Sequence, residues 1–102
     1  MNRYTIAPEA AEDIKAIRAY LKREAGPRVA QSIINKIRDA FAFLSRTPGA
    51  GHVREDLTNI PVKFWAVFSY LIIYDPAAKP IEIVRVDHGS RDVTSSMISQ
   101  DD

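Results

Sequence analysis

The chain contains no cysteine. A disulfide framework, a thiolate nucleophile and a cysteine-ligated metal are therefore excluded, and a reducing compartment is compatible with it. No stretch approaches the ~20 consecutive apolar residues of a membrane-spanning helix, and residues 1–8 hold no apolar signal core. A soluble, cytoplasmic protein is the expectation. An excess of one charge is lacking too: 14 Lys and Arg against 13 Asp and Glu leave a net +1, far from a protein that coats nucleic acid through its overall charge. Any anion site must come from local clustering. With no repeat, linker or low-complexity block to divide them, 102 residues at 46% hydrophobic content read as one domain, 1–102, that buries roughly 60% of its unfolded surface.

What is present is strongly periodic. A short strand at Arg3, Tyr4, Thr5 and Ile6 is followed by Pro8, Glu9, Glu12 and Asp13, a helix start in which proline suits the first turn and carboxylates meet the positive end of the helix dipole. Ala10, Ile14, Ile17 and Leu21 then recur on one helical face. Lys22 and Arg23 precede Gly26 and Pro27, which predicts a left-handed glycine cap and a tight turn into a second helix with Ala30, Ile33, Ile37, Phe41 and Leu44 as its apolar stripe. The two helices form an antiparallel hairpin over a common core. Residues 45–61 are a long connection with little periodicity, a surface crossover or a functional loop. Two β-branched and aromatic strands follow, with a turn placed at Phe68 and Ser69, and a second turn at Asp75 and Pro76 leads to the last strand, 81–86. A short helix is expected at 93–98 and a frayed polar tail at 99–102. The predicted class is α+β, in the order β-α-α-β-β-β, with a small, mainly antiparallel sheet and the helix hairpin on one face.

The last strand runs into Asp87, His88, Gly89, Ser90, Arg91 and Asp92, so that Arg85, His88 and Arg91 surround one turn. An anionic partner is the first idea to test. Each residue also has a plainer role: His88 can cap the strand or bond a neighbouring carboxylate, and Arg91 can pair with Asp92. Strict alternation would put Arg85 on the face of Ile81 and Ile83, opposite Val84, Val86 and His88. Which of the two faces meets the helices stays open.

The run from Tyr4 to Ala10 with Asp13, Ile14 and Ile17, the strand Tyr70 to Tyr74 and the closing run Ile83 to Asp92 together resemble the ParE and RelE superfamily of bacterial toxins, the plasmid stabilisation proteins of type II toxin–antitoxin modules. The resemblance is closer to the ParE branch and covers nearly the whole chain. It implies a RelE/ParE-like fold, a cognate antitoxin in a hetero-oligomeric complex, and no metal or small-molecule cofactor. RelE-like members are ribosome-dependent nucleases that cut messenger RNA; ParE-like members poison DNA gyrase. The fold alone does not choose between them.

Cleavage through a 2′-hydroxyl requires a base, cations at the charged transition state and an acid for the leaving oxygen. Where the nuclease branch carries an arginine, after the first tyrosine of the Tyr70 strand, this chain has Leu71, and no tyrosine follows Tyr74. A nuclease here would rest on His88 with Arg85, Arg54 and Lys63, a depleted set. A gyrase inhibitor needs a recognition surface instead, for which Arg54, Lys63, Arg85, His88 and Arg91 are the candidates. For the antitoxin, which the resemblance brings in as a helix and an extended strand, Tyr20, Phe64, Trp65 and Phe68 are the candidate contacts. Trp65 lies on the opposite strand face from Phe64, so one of them is expected outward or partner-covered. The reading is a non-enzymatic, growth-inhibiting toxin directed at gyrase; the alternatives are the nuclease and an inactive antitoxin-binding relative.

Overall fold

A computed structural model describes residues 4–56 and 58–88. Strand β1 (Tyr4–Ile6) leads into helix α1 (Pro8–Ala25), helix α2 (Pro27–Arg46), a single 3₁₀ turn (Pro48–Ala50), and strands β2 (Lys63–Val67), β3 (Tyr70–Asp75) and β4 (Ile81–His88). The class is α+β in the expected order. The helix expected at 93–98, the tail and Arg91 lie outside the described residues. Among the described residues no helix is long and apolar enough to cross a membrane.

Both helices start on proline, whose missing N–H is unneeded there. Gly26 joins them, donating its N–H to Lys22 (3.1 Å) and accepting that of Ala30 (3.0 Å). Its φ of 92° and ψ of 163° lie in an extended positive-φ region that only glycine populates readily, rather than in the left-handed cap region expected. α1 buries Ala10, Ile14 and Leu21, and α2 buries Ala30, Ile34, Ile37, Ala40, Phe41 and Leu44. Ile34 is the fully buried member of α2 and Ile33 only packs against the core; the two are adjacent on the helix, and crossing geometry decides which points inward.

The sheet has the order β1-β4-β3-β2. β1 pairs in parallel with β4, and the other pairs are antiparallel. The helices cover one face through Ile72, Tyr74, Ile81, Ile83 and Val86, together with Phe41 and Ile37 of α2. A second, smaller cluster, Phe64 and Ile73 with Val62, Leu71 and Val84, occupies the other face. Both faces therefore carry apolar burial, and the helix-covered one is the main core.

One irregularity changes the reading of β4. Tyr74 pairs with Ile83 but Ile73 with Arg85, so Val84 is an extra residue, a β-bulge. Beyond it the alternation inverts: Ile81, Ile83 and Val86 all join the helix-side core, whereas strict period two separates Val86 from the other two. The β2–β3 turn falls at Phe68 and Ser69 as expected, with Phe68 at φ 55° and 67% exposed. At the next turn Asp75 Oδ1 accepts the Ala77 N–H at 2.9 Å, the side-chain turn that the Asp-Pro pair predicts.

Candidate functional site

β1 ends at Ile6, opposite Ile83, so the outer edge of β4 beyond that point needs another acceptor for its N–H groups. Asp13, one turn into α1, supplies it: its Oδ2 accepts the Val86 N–H at 2.9 Å and Arg85 Nε–H at 2.8 Å, and its Oδ1 accepts Arg85 Nη2–H at 3.1 Å. This bidentate pairing raises the Arg85 guanidinium above its already high value, with Asp13 as the largest cause. Arg85, expected as a displayed cation, is thus committed to its own chain. The bulge turns it to the β4 edge beside α1, which strict alternation could not reveal.

Next to this pair a cavity of about 330 Å³ opens between α1 and the end of β4, walled by Ile17, Tyr20, Tyr70, Val86, Asp87 and His88. Tyr70 and His88 face each other across the β3–β4 pair with rings 5.2 Å apart, edge to face. Burial raises the Tyr70 phenol above its ordinary value, and Tyr20 adds to the shift, so Tyr70 is a protonated donor at neutral pH. Asp87 is buried and accepts the His88 N–H at 2.9 Å. Tyr20, 48% exposed, is capped by Arg23 at 5.8 Å from its ring.

The crossover loop forms the opposite end of the sheet. Tyr74 anchors it, donating its hydroxyl to the Pro48 carbonyl (2.7 Å) and accepting the Gly51 N–H (2.9 Å). Gly51 is required by space: a Cβ there would lie 2.5 Å from Tyr74 Oη and 3.0 Å from the Phe64 carbonyl oxygen. Desolvation raises the Tyr74 phenol, partly countered by the Gly51 N–H. His52 then exchanges backbone hydrogen bonds with Phe64 at the β2 edge and stacks on Trp65, which also meets Phe43. Arg54 is tied to Asp56 by two hydrogen bonds of 3.0 and 2.9 Å, an interaction that raises the arginine and lowers the carboxyl.

These placements sort the candidates. Phe64 is enclosed in the second cluster at 2% exposure, and Trp65 is sandwiched between α2 and His52. Neither is outward, because the loop covers one and the second cluster encloses the other. Tyr20 and Phe68 remain exposed. Lys63 pairs across from Tyr74 and His88 from Tyr70, four residues apart along β3, or roughly 13 Å at ~3.3 Å per residue. Arg54 and Lys63 therefore belong to one end of the sheet and His88 to the other. Asp13, Tyr70 and Tyr74 organise both ends yet were not among the sequence candidates; a carboxylate at the helix start and tyrosines bracketing β3 were visible, but their partners were not. No group of three or more His, Asp or Glu side chains suited to a metal occurs among the described residues.

Comparison with known proteins bears on this arrangement. A family model described as the ParE toxin of type II toxin-antitoxin system, parDE, matches residues 4–93. A solved structure from P. aeruginosa, titled as a chromosomal ParDE TA system, superposes with a TM-score of 0.72 at 23% identity, covering 86% of this chain and 96% of that one. At that identity the likeness concerns the fold. No curated protein matches the sequence.

Proposed function

Because the chain belongs to the ParE toxin family of type II toxin–antitoxin systems, we propose that it inhibits growth in the cytoplasm by binding DNA gyrase, without breaking phosphodiester bonds itself, and that a cognate antitoxin neutralises it.

The observation that carries the non-enzymatic reading is the dispersal of the groups a nuclease would need. Arg85 is held by Asp13, Arg54 by Asp56, and Lys63 lies about 13 Å along the sheet from the His88 level. Losing one transition-state donor typically costs ~100 to 1000-fold in rate. Here Leu71 stands where the nuclease branch carries an arginine, and among the described residues Lys63 lies at the other end of the sheet from His88 while Arg85 and Arg54 are engaged by carboxylates of their own chain. The nuclease alternative has one feature in its favour, the edge-to-face contact of His88 with Tyr70 beside Asp87.

The groove beside α1 suits an antitoxin helix, with Ala16, Ile17 and Tyr20 offering apolar surface. Tyr20 and Phe68 are the exposed aromatics for that contact, with Phe64 and Trp65 acting as support beneath the surface. His88 at the end of β4, Arg54 with Lys63 at the loop, and Arg91, which lies outside the described residues, remain the candidate gyrase contacts.

Induced expression of the chain alone, read for DNA damage and for translation in the same culture, tests the proposal. DNA damage with translation initially intact is expected. Immediate messenger cleavage at ribosomes would instead establish the nuclease, and undisturbed growth would establish the inactive relative. Arg91→Ala is the variant to compare first, because Arg85→Ala also releases Asp13 and thereby perturbs the α1–β4 junction.

A further inference from the structure

The near-neutral total charge hides a segregation. Residues 14–46 hold eight Lys and Arg against Glu24 and Asp39, a net +6; the remaining residues hold six against eleven, a net −5. The positive half is the helix hairpin beyond the start of α1, whose apolar side packs on the sheet. Its cations cannot be core: Lys15, Lys22, Arg28 and Lys36 are exposed and Arg18 is half-buried.

Helical spacing and hairpin pairing gather these charges on one side. Lys15, Arg18 and Lys22 follow at three and four residues along α1, one stripe. Arg18 Nη1–H reaches Gln31 of α2 at 3.1 Å, and Gln31 in turn donates to Asn35 at 2.9 Å. This relay fixes which face of α2 lies beside the α1 stripe. On α2, Arg28, Gln31, Ser32, Asn35 and Lys36 line a shallow recess with Asp39 at its end, every one a polar or charged side chain. The counter-charges are weak competitors: the Glu12–Lys15 contact is 3.6 Å with both side chains 75% exposed, a pairing of little strength.

We propose that this outward face of the helix hairpin binds the phosphate backbone of duplex DNA. The polar lining decides between nucleic acid and protein as the occupant. A protein partner would seek an apolar centre with aromatic anchors, and this recess offers amides, a hydroxyl and cations, the groups that contact phosphates. The scale agrees: from Arg28 to Lys36 the helix rises ~12 Å, which spans about four phosphates of one strand. Without base-reading geometry the binding is independent of sequence and strongly salt-dependent. The inference concerns the chain's own affinity and stands whether or not gyrase is the target.

Fluorescence anisotropy of the full chain with a labelled random-sequence duplex, titrated from 50 to 200 mM salt, tests it. Five cations on phosphates imply a log–log slope near −4.5 and a loss of affinity of about 500-fold over that range. The triple variant Lys15→Gln, Lys22→Gln, Arg28→Gln keeps helix-forming residues at exposed positions, and should flatten the slope to about −2 and the loss to about 10-fold. A control outside the face, Lys79→Gln, should behave like the parent, whereas Arg28→Gln alone should make the slope shallower by about 0.9. Equal weakening by the control, or a parental slope shallower than about −2, overturns the proposal. So does a triple variant that binds DNA as before yet no longer associates with gyrase, which would assign the face to an acidic protein.

Discussion

Arg85 and Arg54 each hold a carboxylate with two N–H groups at nearly the same distance, 2.8 and 3.1 Å to Asp13 and 3.0 and 2.9 Å to Asp56. Their surroundings differ. The Arg85 pair joins residues 72 apart in the chain, with side chains 33% and 17% exposed, and shares its carboxylate with the Val86 N–H. The Arg54 pair joins residues two apart, 45% and 63% exposed. Identical chemistry acts as a tertiary lock at the α1–β4 corner and as a local loop contact at the crossover. Burial and chain separation, rather than bond length, set its worth.

The largest effect should come from breaking the lock. Asp13→Ala leaves the Arg85 guanidinium and the Val86 N–H without their acceptor at a partly buried edge, and should lower unfolding stability by about 2–3 kcal/mol in urea titration. A loss below about 0.5 kcal/mol would mean that the corner is no different from the loop.

Next comes the anchor of the loop end. Tyr74→Phe removes a donor to Pro48 and an acceptor for Gly51, and should cost about 1–2 kcal/mol. The same variant sharpens the comparison in its pH dependence. Burial raises the folded-state phenol above the ordinary 10.0, so the folded state retains the proton longer. Its stabilising share is full below about pH 10 and lost as pH climbs through the folded value. The wild-type decline in stability above pH 10 should therefore be steeper than that of Tyr74→Phe, and superimposable curves would contradict the assignment.

A smaller change of opposite sign is expected at the hairpin tip. Phe68 sits in the left-handed region at φ 55° while exposing its ring, a strained backbone that no buried contact of the ring repays. Phe68→Gly should stabilise the isolated chain by about 0.5 kcal/mol and weaken antitoxin binding if the ring is kept for a partner. Calorimetry of the free chain and of the complex separates the two effects. Smallest of all, Asp56→Asn should leave the thermal midpoint unchanged within error, since the pair it breaks is solvated.

Much of this architecture was legible in residue spacing. The three- and four-residue recurrence of Ala10, Ile14, Ile17 and Leu21 announced α1, Gly26-Pro27 announced the hairpin, and Asp75-Pro76 its turn, because each is a local preference of a few adjacent residues. The end of β4 was not legible. One additional residue at Val84 inverts the phase of everything after it, and period-two reasoning has no means to detect an insertion that only the partner strand defines. Phe64 and Trp65 were correctly separated onto opposite faces, but the cover over half-buried Trp65 comes from Phe43 and His52 elsewhere in the chain, and that over Phe64 from Ile73, Val62, Leu71 and Val84.

By itself the amino-acid order determined the α+β class and the element succession, since apolar periodicity and breaker residues act within one or two turns of chain, and its resemblance to known sequences pointed to the toxin family whose model matches residues 4–93. It also determined the charge segregation between residues 14–46 and the rest, although only pairing of the two helices makes that a surface. The tertiary structure alone decided that Arg85 is a lock rather than a displayed cation, and that the nuclease-type groups lie at opposite ends of the sheet. Those outcomes depend on approaches between residues dozens of positions apart, which burial and register bring about and local preference does not encode.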